Sequence, residues 1–150
     1  MPADHGYYRQ PTIHGGTVAF ICEDDLWCVA ASGGIARRLT ANPGQIYFPS
    51  FSPDGRWIAF TGRDDGPTEV YVIEADGGPA RRLTWLGASC QVAGWRPGGR
   101  EILFASDWRQ PFLKEIELHA VPREGGLVTP LGLGPSRSIA YQPDGPGVVL

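Results

Sequence analysis

One eight-residue string constrains this chain more than any other feature. Gly33-Gly34-Ile35-Ala36-Arg37-Arg38-Leu39-Thr40 returns 44 residues later as Gly77-Gly78-Pro79-Ala80-Arg81-Arg82-Leu83-Thr84. Phe51-Ser52-Pro53-Asp54-Gly55 returns at the same interval as Trp95-Arg96-Pro97-Gly98-Gly99, and 46 residues further on as Tyr141-Gln142-Pro143-Asp144-Gly145. A third double glycine, Gly125-Gly126, falls 48 residues after the second. A chain written as one unit repeated at this interval folds as an array of that unit, each copy burying its apolar face against the next.

Each unit reads as four short strands. An aromatic residue and a Pro-Asp-Gly turn close the first, as at Phe51–Gly55, where proline presets φ and glycine supplies a left-handed residue. The second runs Arg56–Phe60, matched by Arg100–Phe104 and Thr17–Phe20. The third runs Glu69–Ile73, matched by Asp25–Val29 and Glu117–Val121. The double glycine then leads into a fourth, such as Ala80–Thr84. Glycine and proline make up 35 of 150 residues, which leaves no stretch long enough for an amphipathic helix between turns. The 42% hydrophobic content argues against disorder. Four strands in about 44 residues is the period of a β-propeller blade.

The fold class expected is therefore all-β: a partial β-propeller of about three and a half four-stranded antiparallel blades. Residues 1–11 form an N-terminal extension and 12–150 the incomplete propeller, with blades at about 12–40, 48–84 and 92–131 and a partial one at 139–150. Propellers close with four to eight blades, so the chain is expected to be a fragment or to pair with other copies. An open blade face of roughly 19 by 17 Å offers on the order of 300 Å², worth about 8 kcal/mol when covered.

Composition excludes several classes. The formal net charge of −3 and the lack of a basic stripe disfavour nucleic acid as a partner. No run of 18 apolar residues exists to cross a membrane, and the first nine residues carry no apolar signal-peptide core. Cys22, Cys28 and Cys90 match no zinc-ligand spacing and suit reduced thiols in a cytoplasmic protein.

Tyr7-Tyr8-Arg9-Gln10-Pro11-Thr12-Ile13-His14-Gly15, followed by Phe20-Ile21-Cys22-Glu23-Asp24-Asp25-Leu26-Trp27, resembles the start of tricorn-type proteases. Arg37–Asn42, Phe51–Gly55, Gln110-Pro111-Phe112 and Leu131–Pro135 continue the resemblance along nearly the whole chain from Tyr7. It implies the first half of a six-bladed propeller that opens a large cytosolic serine peptidase trimming oligopeptides. In such proteins a seven-bladed propeller and a PDZ-like domain follow, the catalytic serine and histidine lie in later domains, and the propellers gate peptide passage. Some relatives hold a peptide carboxylate with a basic pair near the start of blade three; here Leu86–Val92 carries no arginine.

No catalytic, cofactor-binding or metal-binding residue is expected, and no cofactor. The nearest string to a nucleophile elbow, Gly134-Pro135-Ser136-Arg137-Ser138, lacks its last glycine. His5 lies in the terminal extension, His14 at a two-strand turn, and His119 in the slot held by Trp27 and Tyr71, where it reads as a packed ring. The acidic runs Glu23-Asp24-Asp25 and Asp64-Asp65 read as solvated turns, and the arginine pairs as charges blocking an outer edge strand. One loop grows steadily: Phe20 to Asp25 is 5 residues, Phe60 to Glu69 is 9 and Phe104 to Glu117 is 13. Its longest copy carries Trp108, Arg109 and Phe112, the candidate contacts for a peptide or a neighbouring domain.

The function expected is a non-catalytic scaffold and gate in a tricorn-like serine peptidase. Its partners would be the remaining propeller and catalytic domains of the same protein, oligopeptides, and other copies in a full-length homo-oligomer. The alternative is a stand-alone interaction propeller of the Tol-system adaptor type, with no peptidase attached.

Overall fold

The computed structural model describes residues 6–41, 44–110, 112 and 115–150. His5, Asn42 and Pro111, named above, lie outside the described residues. Among the described residues, fourteen strands form three four-stranded antiparallel meanders and a two-stranded sheet. Blade one holds β1 (Tyr8–His14), β2 (Thr17–Cys22), β3 (Asp25–Ala30) and β4 (Arg37–Arg38). Blade two holds β5 (Gln45–Phe51), β6 (Trp57–Arg63), β7 (Glu69–Glu74) and β8 (Arg81–Arg82). Blade three holds β9 (Cys90–Trp95), β10 (Glu101–Ser106), β11 (Glu117–Pro122) and β12 (Thr129–Pro135), and a fourth begins with β13 (Ala140–Tyr141) and β14 (Val148–Val149). The first strand thus starts at Tyr8, inside the segment expected as an extension, because Tyr8 and Arg9 pair with Cys22 and Ile21 beyond a bulge at Gln10-Pro11.

The blades stack face to face. Ala19, Ile21, Leu26 and Cys28 of blade one meet Ile58, Phe60 and Ile73 of blade two. The other face of blade two, with Ala59, Val70 and Val72, meets Ile102, Phe104 and Val121 of blade three. Strands covered on both sides lose their hydrophobic alternation. Accordingly β6 and β10 are buried almost throughout, whereas β2 alternates, because among the described residues no blade covers the face of blade one bearing Val18, Phe20, Trp27 and Val29.

The Pro-Asp-Gly turn is held from within. Asp54 accepts from the Ser52 hydroxyl at 2.6 Å and from the Arg56 N–H at 3.1 Å, and Ser52 Oγ accepts from the Trp57 N–H at 3.0 Å. These bonds, the serine's first, hold the Asp54 carboxyl below its ordinary pKa. Gly55 takes φ +70, and a Cβ there would strike the His14 ring. His14 in turn donates to the Pro53 carbonyl at 2.9 Å and so ties blade one to blade two.

The repeated arginines were expected as edge-blocking charges; the structure gives each a defined task. The second of each pair closes its own blade. Arg38 pairs with Asp25 at 2.6 Å and donates to the Thr40 carbonyl; Arg82 pairs with Glu69 at 3.2 Å and donates to the Thr84 carbonyl. Thr40 and Thr84 donate to those acids at 2.7 and 2.5 Å, and accept from the Leu26 and Val70 N–H groups, each at 2.9 Å. The first arginine reaches the next blade. Arg37 donates to the Ala75 and Asp76 carbonyls, and Arg81 to the Arg123 carbonyl. Asp25, read from sequence as part of a solvated acidic turn, is therefore buried in a clasp, while Asp24 beside it pairs with Arg9 at 2.7 Å.

Blade three breaks the pattern. Counting from its double glycine, Pro130 and Gly132 stand where Arg38 and Thr40 stand in blade one. Its outer strand is seven residues long, carries no charge, and exposes Leu133.

Candidate functional site

The connections between blades and the loops joining second to third strands lie on one face, as the meander order requires. Ser106 ends β10, and its Oγ accepts from the Trp108 N–H at 3.1 Å. The Asp107 carbonyl accepts from the Gln110 N–H at 3.0 Å, a tight turn that puts Arg109 at φ +65. A non-glycine residue in that region is uncommon. The Asp107 carboxylate accepts from the Ser89 N–H at 3.0 Å, which pins the loop to the connection from blade two. A groove of about 390 Å³ separates the two, with Leu86, Gly87 and Ala88 on one bank and Asp107–Gln110 on the other.

Trp108 and Arg109 come together. The Arg109 guanidinium lies 4.2 Å from the Trp108 ring centroid, within cation–π range. Trp108 is half-buried, its ring set edgewise on His119 at 5.7 Å, and His119 stacks on Phe104 at 5.6 Å. Trp108 therefore roofs the aromatic column of its own blade, the counterpart of the Phe60–Tyr71 stack. Phe112 is 94% exposed.

His119 donates from Nδ1 to the Glu117 carbonyl at 3.0 Å. Burial holds its pKa below the ordinary 6.5, against the opposing effects of that bond and of the Glu117 charge. Between 6.5 and the lower native value, the unfolded chain takes up a proton that the native chain resists. Stability is thus full above pH 6.5 and falls as the pH is lowered through that window. His119→Tyr, which installs the blade-two residue, is expected to flatten this part of the acid limb in urea titrations from pH 7 to 5. An unchanged slope would assign it to other groups.

Cys22, Cys28 and Cys90 are free thiols, and burial pushes Cys90 up to about 12, where little thiolate forms. Ser136 donates to the Ser138 carbonyl at 2.9 Å, a local turn bond. Among the described residues no group of His, Cys, Asp and Glu is placed to hold a metal ion. Sequence reasoning passed over the innermost strands, where Gln10 and Phe48 take φ of 48 and 50. The available signal was a residue-proline pair at matching places in two successive blades.

Residues 5–150 match the family described as the tricorn protease N-terminal β-propeller domain. Tricorn protease homolog 1 of Streptomyces coelicolor is 41% identical over 143 residues, covering 95% of this chain and 13% of that protein. A protein of Sulfurisphaera tokodaii described as a tricorn-like protease N-terminal subunit is 31% identical over 143 residues, covering 93% of this chain and 72% of that protein. The crystal structure of the tricorn protease superposes with a TM-score of 0.83 at 30% identity, covering 92% of this chain and 14% of that one.

Proposed function

Because the chain belongs to the family of tricorn protease N-terminal β-propeller domains, we propose that it is the non-catalytic propeller segment of a cytoplasmic, tricorn-like serine peptidase that degrades oligopeptides. The observation that carries this is the alignment with the Streptomyces coelicolor homologue, which runs through 95% of the chain yet spans 13% of the relative. Hydrolysis then belongs to other domains of the same protein, and the propeller scaffolds them and gates peptides. Those domains, oligopeptides and further copies of the full-length protein are its partners. Membership of this family favours that reading over a stand-alone adaptor propeller.

Within it, Trp108, Arg109 and Phe112 contact a passing peptide or a sibling domain. Asp107 and the Trp108–His119 packing hold the loop in place. Arg109 is left exposed on top, with a guanidinium suited to bidentate pairing with a carboxylate, and Phe112 offers apolar area. The test compares the full-length polypeptide with its Trp108→Ala/Arg109→Ala/Phe112→Ala variant on fluorogenic peptides, with a serine-directed phosphonate probe to mark the nucleophile. Peptide turnover or assembly should change severalfold, with labelling outside this chain. Because Trp108 packs on His119, Arg109→Ala/Phe112→Ala is the cleaner pair, with melting temperature nearly unchanged. Early unfolding with normal activity per folded molecule would make the loop a buttress, and labelling of a serine within this chain would overturn the non-catalytic reading.

A further inference from the structure

We propose that the rim of blade three, at Glu117 and the bulged outer strand beside it, is a docking surface for another domain of the same polypeptide, which presents an arginine to the Glu117 carboxylate. The inference rests on the reading of this chain as one segment of a larger peptidase, and names a contact that the segment makes. Blades one and two show what this position takes. The acid that opens the third strand, Asp25 or Glu69, receives an arginine and a threonine from its own outer strand. Glu117 stands at the same place. It lies two residues before His119, which pairs with Phe104 as Trp27 pairs with Phe20 and Tyr71 with Phe60. Pro130 stands opposite His119, as Arg38 stands opposite Trp27 and Arg82 opposite Tyr71. With Pro130 and Gly132 in place of the arginine and threonine, blade three supplies neither donor. Glu117 is half-buried, where Asp25 and Glu69 are buried, and among the described residues its carboxylate has no hydrogen bond or ion pair.

The strand beside it is shaped for side chains rather than for an added strand. A step of two residues on β11, from Glu117 to His119, is matched by a step of five on β12, from Pro130 to Pro135. Gly132 and Gly134, within this bulge, take φ of +69 and +84. Two prolines and a bulge blunt an edge against strand addition. The bulge instead offers Leu133, 42% exposed, and Leu127 just before the strand is 78% exposed. β12 carries no cation to compete for Glu117. A carboxylate beside exposed leucines fits an arginine, whose guanidinium pairs with the acid while its stem lies on apolar surface. The patch is small. Separate proteins that pair stably bury about 800 Å² on each side, with roughly 20 to 30 residues, and this surface offers a handful. A domain tethered in the same chain meets it at high effective concentration and needs less area.

The test uses the full-length polypeptide with a benzophenone side chain in place of Leu133. Mass spectrometry should place its cross-link within a few residues of an arginine in another domain of that polypeptide. Glu117→Gln keeps the side chain's shape, removes its charge, and should cut the cross-link yield at least threefold. Pro130→Arg returns a guanidinium to the place Arg82 holds in blade two, satisfies Glu117 from within, and should cut the yield as much. Because it adds a pair rather than removing one, melting temperature should hold or rise, which separates lost docking from lost folding. Yields within 1.5-fold of the parent in both variants would overturn the arginine contact, and no cross-link beyond residues 1–150 would overturn the docking surface. Mixing isotope-labelled and unlabelled polypeptides identifies the occupant: products that join one of each would mean a second copy, and the sibling-domain assignment would fall. A polypeptide that cleaves no peptide sinks the peptidase reading, and the cross-link still decides the docking surface.

Discussion

Glu69→Ala is expected to lower the stability of this chain by about 3 kcal/mol, far more than a typical surface change. Glu69 is 2% exposed, and besides the Cys90 thiol, whose Sγ lies 3.9 Å from Oε2, three groups converge on it. The Arg82 guanidinium and the Thr84 hydroxyl come from the outer strand, and the Gly87 N–H, at 3.0 Å, from the connection to blade three. Removing the carboxylate leaves the Gly87 N–H without its protein acceptor and frees the arginine and the buried threonine together, so the outer strand and the inter-blade connection loosen at once. Glu69→Gln, which keeps an acceptor for Gly87 but not the charge, should cost about half as much. Urea denaturation of the three proteins decides it. A loss under about 1 kcal/mol for Glu69→Ala would mean that Arg82, one-third exposed, carries little of the clasp and that hydration replaces it.

This clasp marks the boundary of what the sequence made legible. The period, the four strands per blade and the turns were readable because glycine, proline and aromatic residues recur at fixed intervals, and each is a local constraint. The clasp recurs at the same interval as well, with Asp25, Arg38 and Thr40 followed by Glu69, Arg82 and Thr84. It was nonetheless read as edge charges and a solvated acidic turn, because which side of a two-residue strand faces inward is set by the neighbouring blade, and hydropathy does not report it. The blade-three loop was only half legible. Its growth from blade to blade singled out Trp108, but the edgewise packing of that ring on His119 depends on the cross-strand pairing of His119 with Phe104, fifteen residues earlier. The bulged prolines on the axis were missed for a related reason: proline in a strand is read as a breaker, whereas here it sits on the free edge of an innermost strand, where no ladder bond is lost.

The repeat also permits one residue type to be tested at one position in two environments. Phe20 and Phe60 both sit on the second strand, opposite Trp27 and Tyr71 on the third. Phe60 is fully buried between blades one and two, stacked on Tyr71 with ring centroids 5.5 Å apart. Phe20 is half-buried on the bare face of blade one, with Tyr8 edge-on at 5.3 Å. Phe60→Ala should therefore cost about 3–5 kcal/mol, the range for emptying a closed aromatic site, and in a chain of this size that threatens folding itself. Phe20→Ala in the same 150 residues should cost under about 1.5 kcal/mol, since water already reaches the ring and no closed cavity is left. Where a further blade covers this face in a longer polypeptide, the Phe20→Ala cost should rise toward that of Phe60→Ala. Denaturation of both variants in both contexts measures whether the face is covered. Equal costs in the isolated chain would mean that a second copy already covers it, and sedimentation velocity at several concentrations would then show association. A Phe20→Ala cost that stays small in the longer polypeptide would mean that no blade closes onto blade one, and that the ring is open at this seam.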